Sequence, residues 1–339
     1  MSIKTGNKQL SETQLSVLDL APIVEGGNAA IALKNTLDLA RHAENWGYNR
    51  YWLAEHHNMT GIASSATSVV IGHVAGGTST IRVGSGGIML PNHAPLVIAE
   101  QFGTLESLFP GRIDLGLGRA PGTDQLTAHA LRRDRRSDGS DFPEQVDELR
   151  NYFHPKGSVP VRAVPGEGLN IPIWLLGSSG FSAQLAGRLG LPFSFASHFS
   201  PENTLPALEL YRRNFTASDV LDKPYAMVGV NVIAAETDEK AQRLATSMQQ
   251  QFLYLIRNNP GQLRPPVDNM DELWTPYERA ALEQRLESSI IGSPETVKQK
   301  LQAFLDKTQA DEMIINAQIY DHADRLRSYE IVSGIAGKK

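Results

Sequence analysis

Short apolar runs alternate along most of the chain with longer stretches whose apolar residues recur at helical spacing. LSVLDLA (15–21), RYWLAE (50–55), IRVGSG (81–86) and RIDLGLG (112–118) predict four strands. Between the first two, Leu33, Leu37, Ala40 and Ala43 share one helix face, and Gly47 is a stop signal. SSATSVVIGHVAGGT (64–78) opens on serines suited to capping and closes on glycines. Ile98, Phe102, Leu105 and Phe109 form a further helical stripe, broken by Pro110-Gly111. Another helix is predicted near 142–153.

The second half keeps the rhythm. PIWLLG (172–177), LPFSFAS (191–197), AMVGVNVIAA (226–235) and DEMIINA (311–317) predict four more strands. Helices are expected from Ser182, over 201–215, from 238 to 257 and near 321–333. Eight strand-then-helix units predict an α/β protein, a (β/α)8 TIM barrel with insertions on its βα loops. An open sheet of eight parallel strands fits the same linear order. Segments 120–140 and 258–290 break the rhythm. Long inserts on barrel βα loops usually shape or cover the site, so 258–290 is a candidate lid.

Bulk properties narrow the field. Barrels of 339 residues fold as one unit, so a single domain over 1–339 is expected. Hydrophobic content of 41% and charged content of 20% are ordinary for a globular protein. A net charge of −5 argues against a nucleic-acid partner. The absence of cysteine removes disulfides, thiolate metal sites and a cysteine nucleophile. The polar start MSIKTGNKQLSETQ resembles no signal peptide, and no window is long and apolar enough for a membrane helix. A cytoplasmic location without membrane association is the expectation.

Chemistry concentrates where strands end. Trp52 to Asn58 read WLAEHHN, so an apolar run stops at Glu55, His56 and His57. Neighbouring strand side chains diverge, which disfavours a metal shared by the two imidazoles, and no HExxH spacing occurs; no metal site is read. Either Glu55 holds an imidazole as a polar strand cap, or a histidine at a barrel mouth moves protons. GLGRAPG (116–122) lacks the third glycine of a dinucleotide fingerprint, so it is read as a glycine-rich strand end presenting Arg119. Arg119 forms either a surface ion pair or a contact to a phosphate or flat ligand.

GSGGIMLP (84–91) marks either a bulge or a close approach by a ligand or another backbone. GSSGFSA (177–183) places serines and Gly180 at a helix start, which suits a plain cap or a phosphate. The basic cluster RRDRR (132–136) reads as a solvated loop, and His198 as a further mouth residue.

RYWLAEHHNMTGIASSA followed by IRVGSGGIMLPNHAPLVIAEQFGTLESLFPGRIDLGLGRAPGTD resembles the luciferase-like flavin monooxygenase family. The resemblance covers about 15–335 and is dense over 50–124 and 172–197. It implies a (β/α)8 barrel that binds reduced FMN at its C-terminal mouth, with deazaflavin F420 as the alternative cofactor. In that pattern His56, preceded by Glu55, is the active-site histidine, expected to orient and proton-couple the oxygenated flavin. Gly86 and Gly87 lie beneath the ring, where the family often has a non-proline cis bond. Arg119 binds phosphate. Ser178, Ser179, Gly180 and Ser182 form the phosphate turn, with Leu176 on the strand leading into it.

Gly118 and Ser178 depart from the luciferase α subunit, which has a cysteine and a glutamate there. The resemblance thus implies an oxidoreductase acting on a small molecule rather than light emission. No nicotinamide motif is present, so a separate reductase is the expected partner, delivering reduced FMN by diffusion; a homodimer is also expected. Hydride transfer with F420 and a non-catalytic flavin-binding barrel are the alternative functions.

Overall fold

The computed structural model describes residues 8–120, 124–131 and 139–338. Ten strands occur among them: β1 Gln14–Asp19, β2 Arg50–Leu53, β3 Arg82–Ser85, β4 Ile88–Met89, β5 Ile113–Gly118, β6 Ile173–Gly177, β7 Phe193–Phe195, β8 Ala226–Ala234, β9 Ile290–Gly292 and β10 Glu312–Asn316. β10, β1, β2, β3, β5, β6, β7 and β8 follow one another in parallel, and β8 pairs again with β10. Met227 lies opposite Met313's predecessor Glu312 and Asn231 opposite Asn316, so the sheet closes. This pairing excludes the open-sheet alternative and makes a (β/α)8 barrel. Helices on the outside bury the other strand face, so a strand such as β8 is buried along its whole length.

The eight predicted strands are the eight barrel positions, with ends shifted by at most two residues. The third position is interrupted: β3 pairs with β5 through Val83 and Gly84, and β4 rejoins β5 through Ile88 and Met89. Gly86-Gly87, between them, is a cis peptide. The helix at 180–189 begins two residues before the expected Ser182, at Gly180, with Ser179 as its N-cap. Segment 258–290 holds the helix Pro276–Arg285, and the helix Pro294–Thr308 follows it. The latter had a legible signal: Ser293 caps it, Pro294 opens it, and Val297, Leu301 and Leu305 form its buried stripe.

Alternation along each strand sorts side chains between two cores. Val17 joins the large core between barrel and helices. Its neighbour Leu18 joins a separate cluster with Trp52, Ala54, Trp174, Met227 and Ile314. These residues come from strands around the barrel, so this cluster fills the lumen. Trp52 and Trp174 meet edge to face at 5.2 Å.

Below that layer the strand N-termini are closed by ions. Arg50 reaches Asp114 at 2.7 Å and Glu312 at 3.1 Å, and Arg82 reaches Asp114 at 2.6 Å. Trp52 Nε1 donates to Asp114 and the Tyr225 hydroxyl to Glu312. Buried charges require such pairing. The lumen is therefore plugged at that end by the described residues.

Candidate active site

Glu55 follows β2 at the mouth and is 1% exposed. Its Oε1 accepts from His57 Nε2 at 2.8 Å, His93 Nε2 at 2.9 Å and Asn92 Nδ2 at 3.2 Å. Oε2 accepts from the Met89 backbone N–H at 3.0 Å. Burial pushes the carboxyl up, but the bonds from His57, His93 and Met89 outweigh it and hold its pKa at about 2. Glu55 is thus a fixed anion that ties the loop after β2 to the segment after β4. This is the imidazole-holding arrangement weighed from the sequence, with two imidazoles in place of one.

His56 is half-buried. Its charge acts on His198, at the mouth after β7. Burial is the main reason the His198 pKa falls to about 4, opposed by a bond to the Gly229 backbone, with His56 adding to the fall. His198 is therefore a neutral imidazole at pH 7, and its buried Nδ1 has no hydrogen-bond partner among the described residues.

The glycine segment does not lie bare. A side chain at Gly87 would collide with Leu176 Cδ1 and with the Gly116 carbonyl, and one at Gly86 with Leu18. The close approach that demands glycine comes from the protein's own lumen. Leu176 packs on the lumen cluster, so Gly86, Gly87 and Leu176 form one continuous apolar floor under the mouth.

Arg119 directly follows β5. Its guanidinium stands over the Phe181 ring, 4.3 Å from the centroid. Phe181 is the second residue of the helix Gly180–Leu189, so the stack holds a cation beside that helix's N-terminus. Ser179 caps without a side-chain hydrogen bond, whereas Asn28, Thr237, Ser293 and Asp321 all cap their helices with one. The first-turn N–H groups beside Ser178, Ser179 and Gly180 face outward with partial positive charge. Ser182 is only 4% exposed and packs against Gly177. Because the helix starts early, Ser182 sits inside the first turn and faces the barrel instead of capping the turn.

Asn58 donates to Asp124 at 3.1 Å, linking the histidine loop to the loop that carries Arg119. Residues 121–123 and the basic cluster 132–136 lie outside the described residues. Two contributors were not anticipated: His93 and Phe181. A polar Asn92-His93 pair set between Pro91 and Pro95 was a usable signal for the first. Phe181 gave none, since an aromatic at a helix start is common.

The insert is tied to two loops that follow barrel strands. Leu263 and the segment after β1 exchange backbone bonds, Leu263 N–H to Ile23 at 2.9 Å and Glu25 N–H to Leu263 at 2.8 Å. At its other end Ser288 donates to the Ser197 carbonyl at 2.8 Å, and Arg285 stacks 4.7 Å from the Phe199 ring.

A closed parallel barrel plugged below, with an arginine beside a helix N-terminus and carboxylate-held imidazoles above, defines a (β/α)8-barrel protein. Within that class the chain belongs to the luciferase-like monooxygenase family, whose sequence model matches residues 13–312. It is 67% identical to the uncharacterized protein YvbT of Bacillus subtilis (strain 168), over 97% of this chain and 98% of that one. It is 57% identical to a protein of Escherichia coli (strain K12) named luciferase-like monooxygenase, over 94% of this chain and 96% of that one. The crystal structure of apo-MsnO8 superposes with a TM-score of 0.86 at 34% identity, covering 96% and 99% of the two chains. No helix among the described residues is long and apolar enough to cross a membrane.

Proposed function

We propose that this protein is a flavin-dependent monooxygenase that uses reduced FMN and O2 to oxidise a small organic molecule, with reduced flavin supplied by a separate reductase. The observation that carries this reading is the Arg119 guanidinium, held by Phe181 at the open N-terminus of the helix Gly180–Leu189. A guanidinium and free first-turn N–H groups at one place suit a phosphate monoester. The chemistry of the residues therefore fits FMN. Bound there, the cofactor would supply oxygen activation, which no side chain of this chain can provide.

Each residue then has a physical task. Arg119, Ser178, Ser179 and the Gly180 N–H hold the phosphate. Leu176 with Gly86 and Gly87 offers an apolar floor for a flat ring. His56 holds or moves a proton at the mouth, and Glu55 fixes the loop from which His56 projects by binding His57 and His93. The insert 258–290, anchored on loops after β1 and β7, keeps water from the mouth.

The test is an anaerobic titration with reduced FMN, followed by a pulse of aerated buffer. Saturable binding, tighter for FMN than for riboflavin, and reoxidation slower than that of free reduced FMN are the expected results. Reoxidation at the rate of free flavin would overturn the reading. Hydride transfer with F420 and no oxygen consumption would replace it by the deazaflavin alternative.

A further inference from the structure

We propose that Glu55, His57 and His93 form a binding site for one divalent transition-metal ion of the zinc class. The three residues come from the loops after β2 and β4, and their ligand atoms all lie within 4.8 Å of one another. Two imidazole nitrogens and one carboxylate oxygen are a donor set that zinc takes in open sites, where a solvent molecule completes the shell. Softer or harder cations are less well served, since the set holds neither thiolate nor a ring of oxygens.

Three features go beyond the presence of suitable residue types. First, the Glu55 carboxylate gathers both imidazoles: His57 Nε2 lies 2.8 Å from Oε1, and His93 Nε2 bridges Oε1 at 2.9 Å and Oε2 at 3.0 Å. A cation that enters between Oε1 and the two Nε2 atoms draws the imidazoles back by about 0.5 Å, to bonds of about 2.0–2.1 Å, and replaces these hydrogen bonds with coordination, each imidazole moving its proton to Nδ1. Second, the carboxylate is held from behind by the Met89 N–H on Oε2 and by Asn92. Such supporting bonds orient a ligand before the ion arrives. Third, exposure is graded across the cluster: the Glu55 side chain is 1% exposed, while His57 and His93 are 14% and 24% exposed. The anion lies at the base and the imidazoles at the rim, which leaves an entry side and room for solvent.

The sequence concealed this arrangement. His57 stands two residues from Glu55, but His93 stands 38 away and arrives only through the turn after Gly86-Gly87. The inference is independent of the flavin reading, because it concerns the chain and a metal ion alone. A bound ion would lock the loop after β2 one residue from His56.

The full-length protein, stripped with EDTA and dialysed, should be titrated with zinc chloride against a chromophoric chelator. One equivalent per chain should bind with submicromolar affinity. His93→Gln keeps an N–H donor for Glu55 but removes the imidazole, and affinity should fall by about 100-fold or more, with His57→Gln behaving alike. His73→Ala, on an exposed helix position, should bind as wild type. Co2+ should give a visible absorption band that the His93 variant lacks. Circular dichroism on each variant shows that the barrel is intact. Absence of stoichiometric binding by wild type, or wild-type affinity in folded His93→Gln, would overturn the proposal.

Discussion

The guanidinium carbon of Arg119 lies 4.3 Å from the ring centroid of Phe181, although the two are 62 residues apart in sequence and stand on loops after different strands. The stack fixes a long, flexible cation at one end of one helix. Arginine stems lose considerable rotamer freedom on ordering, and an aromatic face reduces that loss at the moment of binding.

Arg119→Ala should therefore weaken FMN binding by about 10–100-fold, the range for a hydrogen bond to a charged group. Riboflavin, which lacks the phosphate, should lose little. Phe181→Ala should raise the Kd for FMN by about 2–5-fold, as expected for an exposed cation–π contact. Fluorescence titration of both flavins checks the pair, and equal weakening of both by Arg119→Ala contradicts the phosphate assignment.

His56→Ala should leave FMN affinity within about twofold while abolishing oxygenated product, since general acid–base groups contribute roughly 10²–10⁴-fold. Product formation under single-turnover conditions is the readout. Wild-type turnover in that variant removes His56 from its role.

His198 makes acid stability a second test. Its folded pKa is about 4 against an ordinary 6.5, with burial the main cause. The folded state thus disfavours the charged form. Its contribution is complete above pH 6.5 and is lost as pH falls toward 4. Urea midpoints measured between pH 7 and pH 4 should decline, and His198→Asn should flatten that part of the slope.

Asp19 governs a lower window. Burial raises its pKa, but Arg325 at 2.6 Å and the hydroxyls of Tyr51 and Thr36 bring it below the ordinary 3.8. Its stabilisation is complete above 3.8 and disappears as pH falls through the depressed value. Arg325→Met leaves the buried carboxylate uncompensated and should cost about 3–5 kcal/mol by chemical denaturation at neutral pH. A loss below 1 kcal/mol would show that the pair adds little.

Replacing 264–286 with a short flexible linker tests the insert. A larger share of consumed O2 should then appear as free hydrogen peroxide, measured against product formed. Unchanged coupling would argue that the insert does not shield the mouth.

All eight barrel strands were legible, because a strand buried on both faces is a continuous apolar run between turn signals, as in AMVGVNVIAA. Polar groups at the strand ends were legible too, since Glu55, Arg119 and Ser178 each interrupt an apolar run. The start of the 180–189 helix was misplaced by two residues. Ser178, Ser179 and Ser182 are all competent caps, and the chain's direction out of β6 selected Ser179.

Composition and periodicity by themselves determined the α/β alternation, the strand set and the loops that carry reactive residue types. Those are local properties, fixed by which side chains must leave water and by which residues end an element. Only the tertiary structure decided that β8 closes onto β10, that His93 joins His57 on Glu55, and that Phe181 stacks on Arg119. Each of these depends on contacts between segments tens of residues apart or more. Chain closure sets such contacts through packing and geometry, and one-dimensional spacing carries no trace of them.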